Sequence, residues 1–185
     1  MIKGRLFVIC GPSGVGKGTV VKELLAQIPD LMLSVSVTTR KPREDEVHGK
    51  HYFFTDRDGF AQMQKNDEFL ESAEHFGTCY GTPKAFVNEM LDNGKSVLLE
   101  IDTEGAYQVK RQMPECVLIF LAFPSLEELR RRLINRGSET EEMLELRLAK
   151  ALREREQLGN FDHVVVNDVL TSTVEQVTKI FKGEI

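Results

Sequence analysis

The sequence predicts an α/β fold, a parallel sheet covered by helices on both faces with an α+β segment inserted into it. Three observations predict this. Short continuous apolar runs alternate with stretches of helical period. A glycine-rich stretch, GPSGVGKGT at residues 11–19, joins the first apolar run to the first helical pattern. Residues 34–94 interrupt the alternation with short strand-like pieces and many polar and aromatic side chains.

The elements follow in order. Leu6 to Cys10, Val97 to Ile101, Val117 to Phe123 and Val164 to Val166 read as strands buried on both faces, and Ser34 to Val37 as a weaker one. Val20, Val21, Leu24, Leu25 and Ile28 recur at helical spacing, and Pro29 stops them. His51 to Phe54 and Phe69 to Ala73 read as short strands, with a short helix after Thr55. Thr82-Pro83 reads as a helix cap followed by proline at the first helical position, and Gly94 as that helix's stop. Ser125 with Glu128, Ser138 with Glu141 and Ser172 with Glu175 read as capping boxes opening three later helices. The subregions expected are a core at 1–35, 95–135 and 159–185, an inserted lobe at 36–94, and a further segment with its helix at 136–158.

The hydrophobic fraction of 41% and charged fraction of 29% are ordinary for a globular chain. A net charge of −5 gives no general attraction to nucleic acid or anionic membrane, so neither is expected as a partner. Any phosphate must be met by local cations. Three separated cysteines without a CxxC pair suggest a reducing compartment and no metal framework. With no signal-peptide pattern and no membrane-length apolar run, a cytoplasmic protein is expected.

Gly11, Gly14, Gly16 and Lys17 have the spacing G-x-x-x-x-G-K between a strand and a helix, the context that makes a phosphate loop credible. Glycines let successive backbone N–H groups converge on an anion, and Lys17 adds a point charge. The common pattern continues with Ser or Thr, which reaches Mg²⁺ or a phosphate. Here that place is Gly18, and Thr19 follows.

With GPSGVGKGT, the stretches SVTTRKPREDEVHGKHYFF (36–54), EFLESAEHFGTCYGTP (68–83), LLEIDTEG (98–105), RRLINRGSETEE (131–142) and VVND (165–168) make the chain similar to the guanylate kinase family along its whole length. The resemblance implies a P-loop three-layer fold with a five-stranded parallel sheet, a GMP-binding lobe and a helical lid after Arg136. It implies Mg²⁺-dependent transfer of the γ-phosphoryl group of ATP to GMP, and to dGMP, giving ADP and GDP for guanine nucleotide recycling.

The resemblance also implies residue roles. Gly11, Pro12, Ser13, Gly14, Val15, Gly16, Lys17, Gly18 and Thr19 would hold the ATP phosphates, with Thr19 near the metal, directly or through water. Arg132, Arg136 and Arg147 would face the phosphates and the transferring group, and Asn167 the adenine. Glu71 and Asp102 would accept from the guanine N–H groups, with Ser36 and Thr82 as hydroxyl partners. Arg40, Arg43, Tyr52 and Tyr80 would bind the GMP phosphate, and Glu46 would orient an arginine. Lys17, Arg40, Arg43, Arg136 and Arg147 form the catalytic set. His48, His51, His75 and His163 are expected to be structural or surface residues. Arg130, Arg131, Arg153 and Arg155 are expected to pair on the surface with Glu127, Glu128, Glu154 and Glu156. A phosphopeptide-binding module of the same fold, lacking a working phosphate loop, is the reading from a different functional class.

Overall fold

The computed structural model describes residues 4–75, 77–135 and 140–185. The strands are β1 (Leu6–Cys10), β2 (Leu31–Leu33), β3 (Val37–Thr38), β4 (Phe53–Phe54), β5 (Phe69–His75), β6 (Thr78–Pro83), β7 (Ser96–Glu100), β8 (Val117–Ala122) and β9 (His163–Val166). The helices are α1 (Lys17–Gln27), α2 (Arg57–Lys65), α3 (Lys84–Asp92), α4 (Thr103–Gln112), α5 (Leu126–Asn135), α6 (Glu141–Arg155) and α7 (Leu170–Lys182). Five strands form one sheet in the order β2-β7-β1-β8-β9, and four form a second in the order β4-β3-β6-β5. In the first sheet β2 runs parallel to β7, and β8 parallel to both β1 and β9. No described helix is long and apolar enough to cross a membrane.

The chain divides into two compact units. One comprises Asp30–Leu99, Glu104–Cys116 and the chain's first residues to Leu6. Its second sheet carries a cluster of Val37, Phe60 and Phe69, with Phe60 and Phe69 stacked at 4.6 Å between centroids. Two glutamines of α4 close the free side of β5. Gln108 accepts from the Ser72 N–H at 3.1 Å and donates to the Ser72 carbonyl at 3.2 Å, as a neighbouring strand would. Gln112 donates to the carbonyls of Phe69 and Leu70. The other unit comprises Phe7–Pro29, Glu100–Thr103 and Val117–Ile185. Every residue of β1 is buried, and the Phe7 ring lies 4.3 Å from that of Phe181 on α7.

Several expectations shift. The outer strand is Leu31–Leu33, not Ser34 to Val37. Val37 and Thr38 instead belong to the second sheet. β9 is not buried on both faces, since Val164 and Val166 are 42% and 49% exposed at the sheet's edge. Ser125 caps α5, its hydroxyl accepting from the Glu128 N–H, but the Glu128 carboxylate turns to Arg131 and Arg132 instead of closing the box. α6 is capped by Thr140, which accepts from the Met143 N–H. Ser138 lies outside the described residues. α7 starts at Leu170, so Ser172 sits inside the helix and its hydroxyl accepts from Gln176. Thr82 and Pro83 end β6 and Pro83 is the N-cap of α3, so Thr82 is not the cap and Pro83 is not in the first turn, which leaves the Thr82 hydroxyl available elsewhere.

Candidate active site

The glycine loop belongs to the unit built on β1, β8 and β9. Gly11, Gly14 and Gly16 have positive φ, a region that L side chains rarely adopt. A Cβ on Gly11 would lie 2.4 Å from the Leu121 carbonyl oxygen, so only glycine lets the chain leave β1 here. Gly16 (φ 97) stands at the start of α1 and supplies no side-chain cap, so the first N–H groups of the helix remain available to an anion. The Lys17 ammonium folds back along the loop, donating to the Gly11 carbonyl at 2.7 Å and the Pro12 carbonyl at 3.3 Å. Burial lowers its pKa, opposed first by the charge of Glu100.

Side chains distant in sequence hold this loop. Asn167, just after β9, donates to the Val15 carbonyl at 2.7 Å and is buried. Arg132 of α5 donates to the carbonyls of Asn167 at 2.9 Å and Val15 at 3.3 Å, and to the Glu128 carboxylate at 2.7 Å. Hydrogen bonds from Arg131 and then Arg132 hold the Glu128 pKa at about 2. Arg147 of α6 donates to the Ser13 hydroxyl. Ser13, Val15, Arg132, Arg147 and Asn167 are thus gathered at one place, with Gly18 and Thr19 exposed beside them in the first turn of α1. Arg136 lies outside the described residues.

Three residues here carry roles that the sequence did not disclose. Glu100 ends β7, and its carboxylate lies 3.5 Å from where a Gly18 Cβ would stand. Its position at the carboxyl end of a buried strand was a readable signal. Thr103 donates to Glu154 at 3.2 Å, and both are buried. The expectation of Glu154 as surface charge is therefore wrong: α6 turns that position inward behind Leu144, Leu148 and Ala151. Arg130 also departs from expectation, pairing across to Glu141 and Glu145 of α6. Arg155 lies over the Phe123 ring, 5.6 Å from its centroid.

The other unit holds a second set. A bulge in β5 between Phe69 and Glu71 brings Glu71 directly opposite Thr82 of β6. Glu71 is 5% exposed and accepts from the Thr82 hydroxyl at 2.6 Å. Ser36 is half-buried, and its carbonyl accepts from the Phe53 N–H. Beyond β3, Arg40 donates to Glu46 at 2.7 Å and to the Lys41 carbonyl at 2.8 Å. Its guanidinium lies 5.5 Å from the centroid of the Tyr52 ring, which meets Tyr80 edge-on at 6.2 Å. Glu46, and after it Tyr80, raise the Arg40 pKa. Arg43 is exposed, its backbone N–H donating to the second Glu46 oxygen at 2.8 Å. His48 and His51 accept through Nδ1 from the N–H groups of Phe54 and Val47, structural tasks.

The Glu46 pKa lies at about 2 against an ordinary 4.5, chiefly through the Arg40 hydrogen bond and then that of the Arg43 N–H. A depressed folded-state pKa makes the pair's contribution complete above pH 4.5 and removes it as pH falls through about 2. Carbon-13 NMR titration of the Glu46 carboxyl is expected to give a midpoint near 2. A midpoint near 4.5 would mean the pair does not form in solution.

Comparison with known proteins identifies the family. The family model described as guanylate kinase matches residues 3–184. A guanylate kinase of Syntrophomonas wolfei is 50% identical over 182 residues, covering 98% of this chain and 93% of that protein. One from Clostridium tetani is 49% identical over 184 residues, covering 100% of this chain and 88% of that one. The crystal structure of guanylate kinase from Anaplasma phagocytophilum superposes with a TM-score of 0.76 at 36% identity, covering 98% of this chain and 86% of that one. With its glycine loop at Gly11–Lys17 and its paired Glu71 and Thr82, and matched by the family model from residue 3 to residue 184, this chain belongs to the guanylate kinase family.

Proposed function

We propose that the chain transfers the γ-phosphoryl group of ATP to GMP, releasing ADP and GDP, with guanine taken by Glu71. The observation that carries this is the buried Glu71 carboxylate, aligned by the Thr82 hydroxyl. A carboxylate is acceptor-only, and guanine alone among the common bases offers an N1–H beside an exocyclic N2–H₂. Adenine lacks the N1 donor and would leave a buried acceptor unpaired, a mismatch that discriminates by up to about 10⁴-fold. Ser36, Thr82 and Asp102 complete the guanine contacts, and Arg40, Arg43, Tyr52 and Tyr80 take the GMP phosphate. Glu46 fixes the Arg40 fork, so its bidentate face is pre-set for phosphate oxygens.

The nucleophile is a GMP phosphate oxygen. A phosphate monoester has a second pKa near ~6, so no general base is required at neutral pH. The chemical difficulty is to bring two anions together, which is a matter of cations and positioning. The loop N–H groups and Lys17 hold the ATP phosphates, while Arg136 and Arg147 face the transferring group. Asn167 and Arg132 shape the loop through the Val15 carbonyl, and Asn167 also meets the adenine.

The loop's glycine cradle fits a nucleotide phosphate chain carrying Mg²⁺. Thr19, in the first turn of α1, and Glu100, whose carboxylate lies 3.5 Å from where a Gly18 Cβ would stand, would be its protein ligands, while no group of three or more His, Cys, Asp or Glu among the described residues is arranged to hold a metal. The ion would therefore be held largely by ATP phosphate oxygens and water, neutralising their charge.

Gly16→Ala puts a Cβ 2.7 Å from Asn167 Nδ2 at φ 97. Backbone strain of about 1–3 kcal/mol at this position is expected to raise KM for ATP by about tenfold or more. Steady-state ATP titration at saturating GMP checks it.

ADP release from ATP·Mg²⁺, with GMP, dGMP, AMP, CMP and UMP each as acceptor, tests the function. Turnover confined to the guanine acceptors is expected. A folded protein with no turnover on any of them would favour the phosphopeptide-binding module, against which the intact loop and Lys17 argue.

A further inference from the structure

Glu154 occupies a place that helix packing does not explain. It follows Leu144, Leu148 and Ala151 on the inward face of α6 and is 7% exposed. A carboxylate there carries a desolvation cost that an apolar side chain would not. Burial accordingly raises its pKa, against the favourable charge of Lys150 and the Thr103 hydrogen bond. One oxygen accepts from Thr103 at 3.2 Å, while Oε2 is buried without a hydrogen-bond partner among the described residues.

Lys150, one turn earlier on α6, stands 3.8 Å from Glu154 Oε1 and 3.8 Å from Asp102 Oδ2. At that distance the contacts are electrostatic, not hydrogen bonds. Lys preceding Glu by four residues is the weaker order for a pair within one helix, so the pair does little for α6 itself. Its distinguishing feature is the third member. Asp102 lies off the helix, in the segment after β7, next to Thr103. That segment is therefore fastened to α6 at two successive residues, Asp102 through the Lys150 ammonium and Thr103 through the Glu154 carboxylate.

We propose that Lys150, anchored by Glu154, is a positioning residue for guanine recognition, holding the Asp102 carboxylate in place. This rests on the reading of Asp102 as a guanine acceptor. One ammonium lies between two carboxylates. Without it, the Asp102 and Glu154 carboxylates face one another as like charges. Glu154 matters because it keeps a side chain that is 52% exposed from swinging into solvent. Specificity for the base is thus linked to α6, the same helix whose Arg147 meets Ser13 of the phosphate loop.

The test is steady-state kinetics and thermal melting of Asp102→Asn, Lys150→Met, Lys150→Arg, Glu154→Gln and the Lys150→Met/Glu154→Gln double variant. Lys150→Met is expected to raise KM for GMP about threefold to fivefold, the range of a half-exposed ion pair, with KM for ATP moving much less. Lys150→Arg should restore KM for GMP. Glu154→Gln keeps the shape and an acceptor for Thr103, and should raise KM for GMP by a smaller factor. The double variant should be no worse than Lys150→Met alone, because both act through one contact. A rise for Asp102→Asn with none for Lys150→Met overturns the proposal and leaves Asp102's role intact. No rise for Asp102→Asn overturns that role and the proposal with it. Equal changes in both KM values with a lowered Tm would mark Lys150 and Glu154 as structural and also overturn it.

Discussion

Lys17→Ala is expected to lower kcat by about 10²–10³-fold, the usual loss when a preorganised cationic or hydrogen-bonding group is withdrawn from a developing charge. The geometry sets that expectation. The Lys17 ammonium lies inside the loop, bonded to the Gly11 and Pro12 carbonyls, and so begins within reach of any phosphate seated on the loop N–H groups. Burial lowers its pKa, yet Glu100 opposes the shift, and an anionic phosphate opposes it further. GMP affinity should change far less, because the residues assigned to GMP other than Asp102 lie in the other unit of the chain. Parallel measurement of kcat and of GMP binding by calorimetry separates the two. A kcat within fivefold of the parent would remove Lys17 from the transferring group. Fold integrity is checked by the melting temperature, since the variant leaves the Gly11 carbonyl without its lysine donor.

Glu71→Gln is expected to lower the ratio of GMP to AMP turnover efficiency by about 10²-fold or more. Glutamine offers one acceptor and one donor where guanine presents two donors to a carboxylate. The buried NH₂ group would then face a donor of the base, the arrangement that polar pockets discriminate against most strongly. The fold should survive, because the remaining amide oxygen can still accept from Thr82, 2.6 Å away in the parent. Thr82→Val should give a smaller loss of roughly tenfold, in the range of one hydrogen bond to a charged acceptor. If Glu71→Gln leaves the ratio unchanged, guanine is read elsewhere and the proposed acceptor is wrong.

Much of this was legible in the residues. The buried runs at Leu6, Val97 and Val117 marked three strands of the parallel sheet almost to the residue, because strands covered on both faces are apolar without interruption. GPSGVGKGT was readable because only glycine can take the positive φ values that the loop imposes, so the backbone requirement appears directly as residue type. The family resemblance implied that Glu46 orients one of the two arginines, and the structure pairs it with Arg40, six residues away.

What failed did so where distance along the chain decides the outcome. LMLSVSV has apolar character at two offsets, and only pairing with β7 selects Leu31–Leu33 as the outer strand. Thr82-Pro83 carries the local chemistry of a helix cap, but pairing with β5 claims both residues for a strand and gives the threonine hydroxyl to Glu71. Ser172 has a capping pattern that α7 overrides by starting at Leu170. Glu154 looks like one more charge in a charged helix until α6 packs and buries it beside Thr103. The sequence by itself determined the family, the loop and the types of side chain proposed for guanine and phosphate. Tertiary structure decided which carboxylates are buried, which hydroxyls align them, and which distant residues hold the loop, because burial and pairing depend on neighbours that the chain supplies only after it has folded.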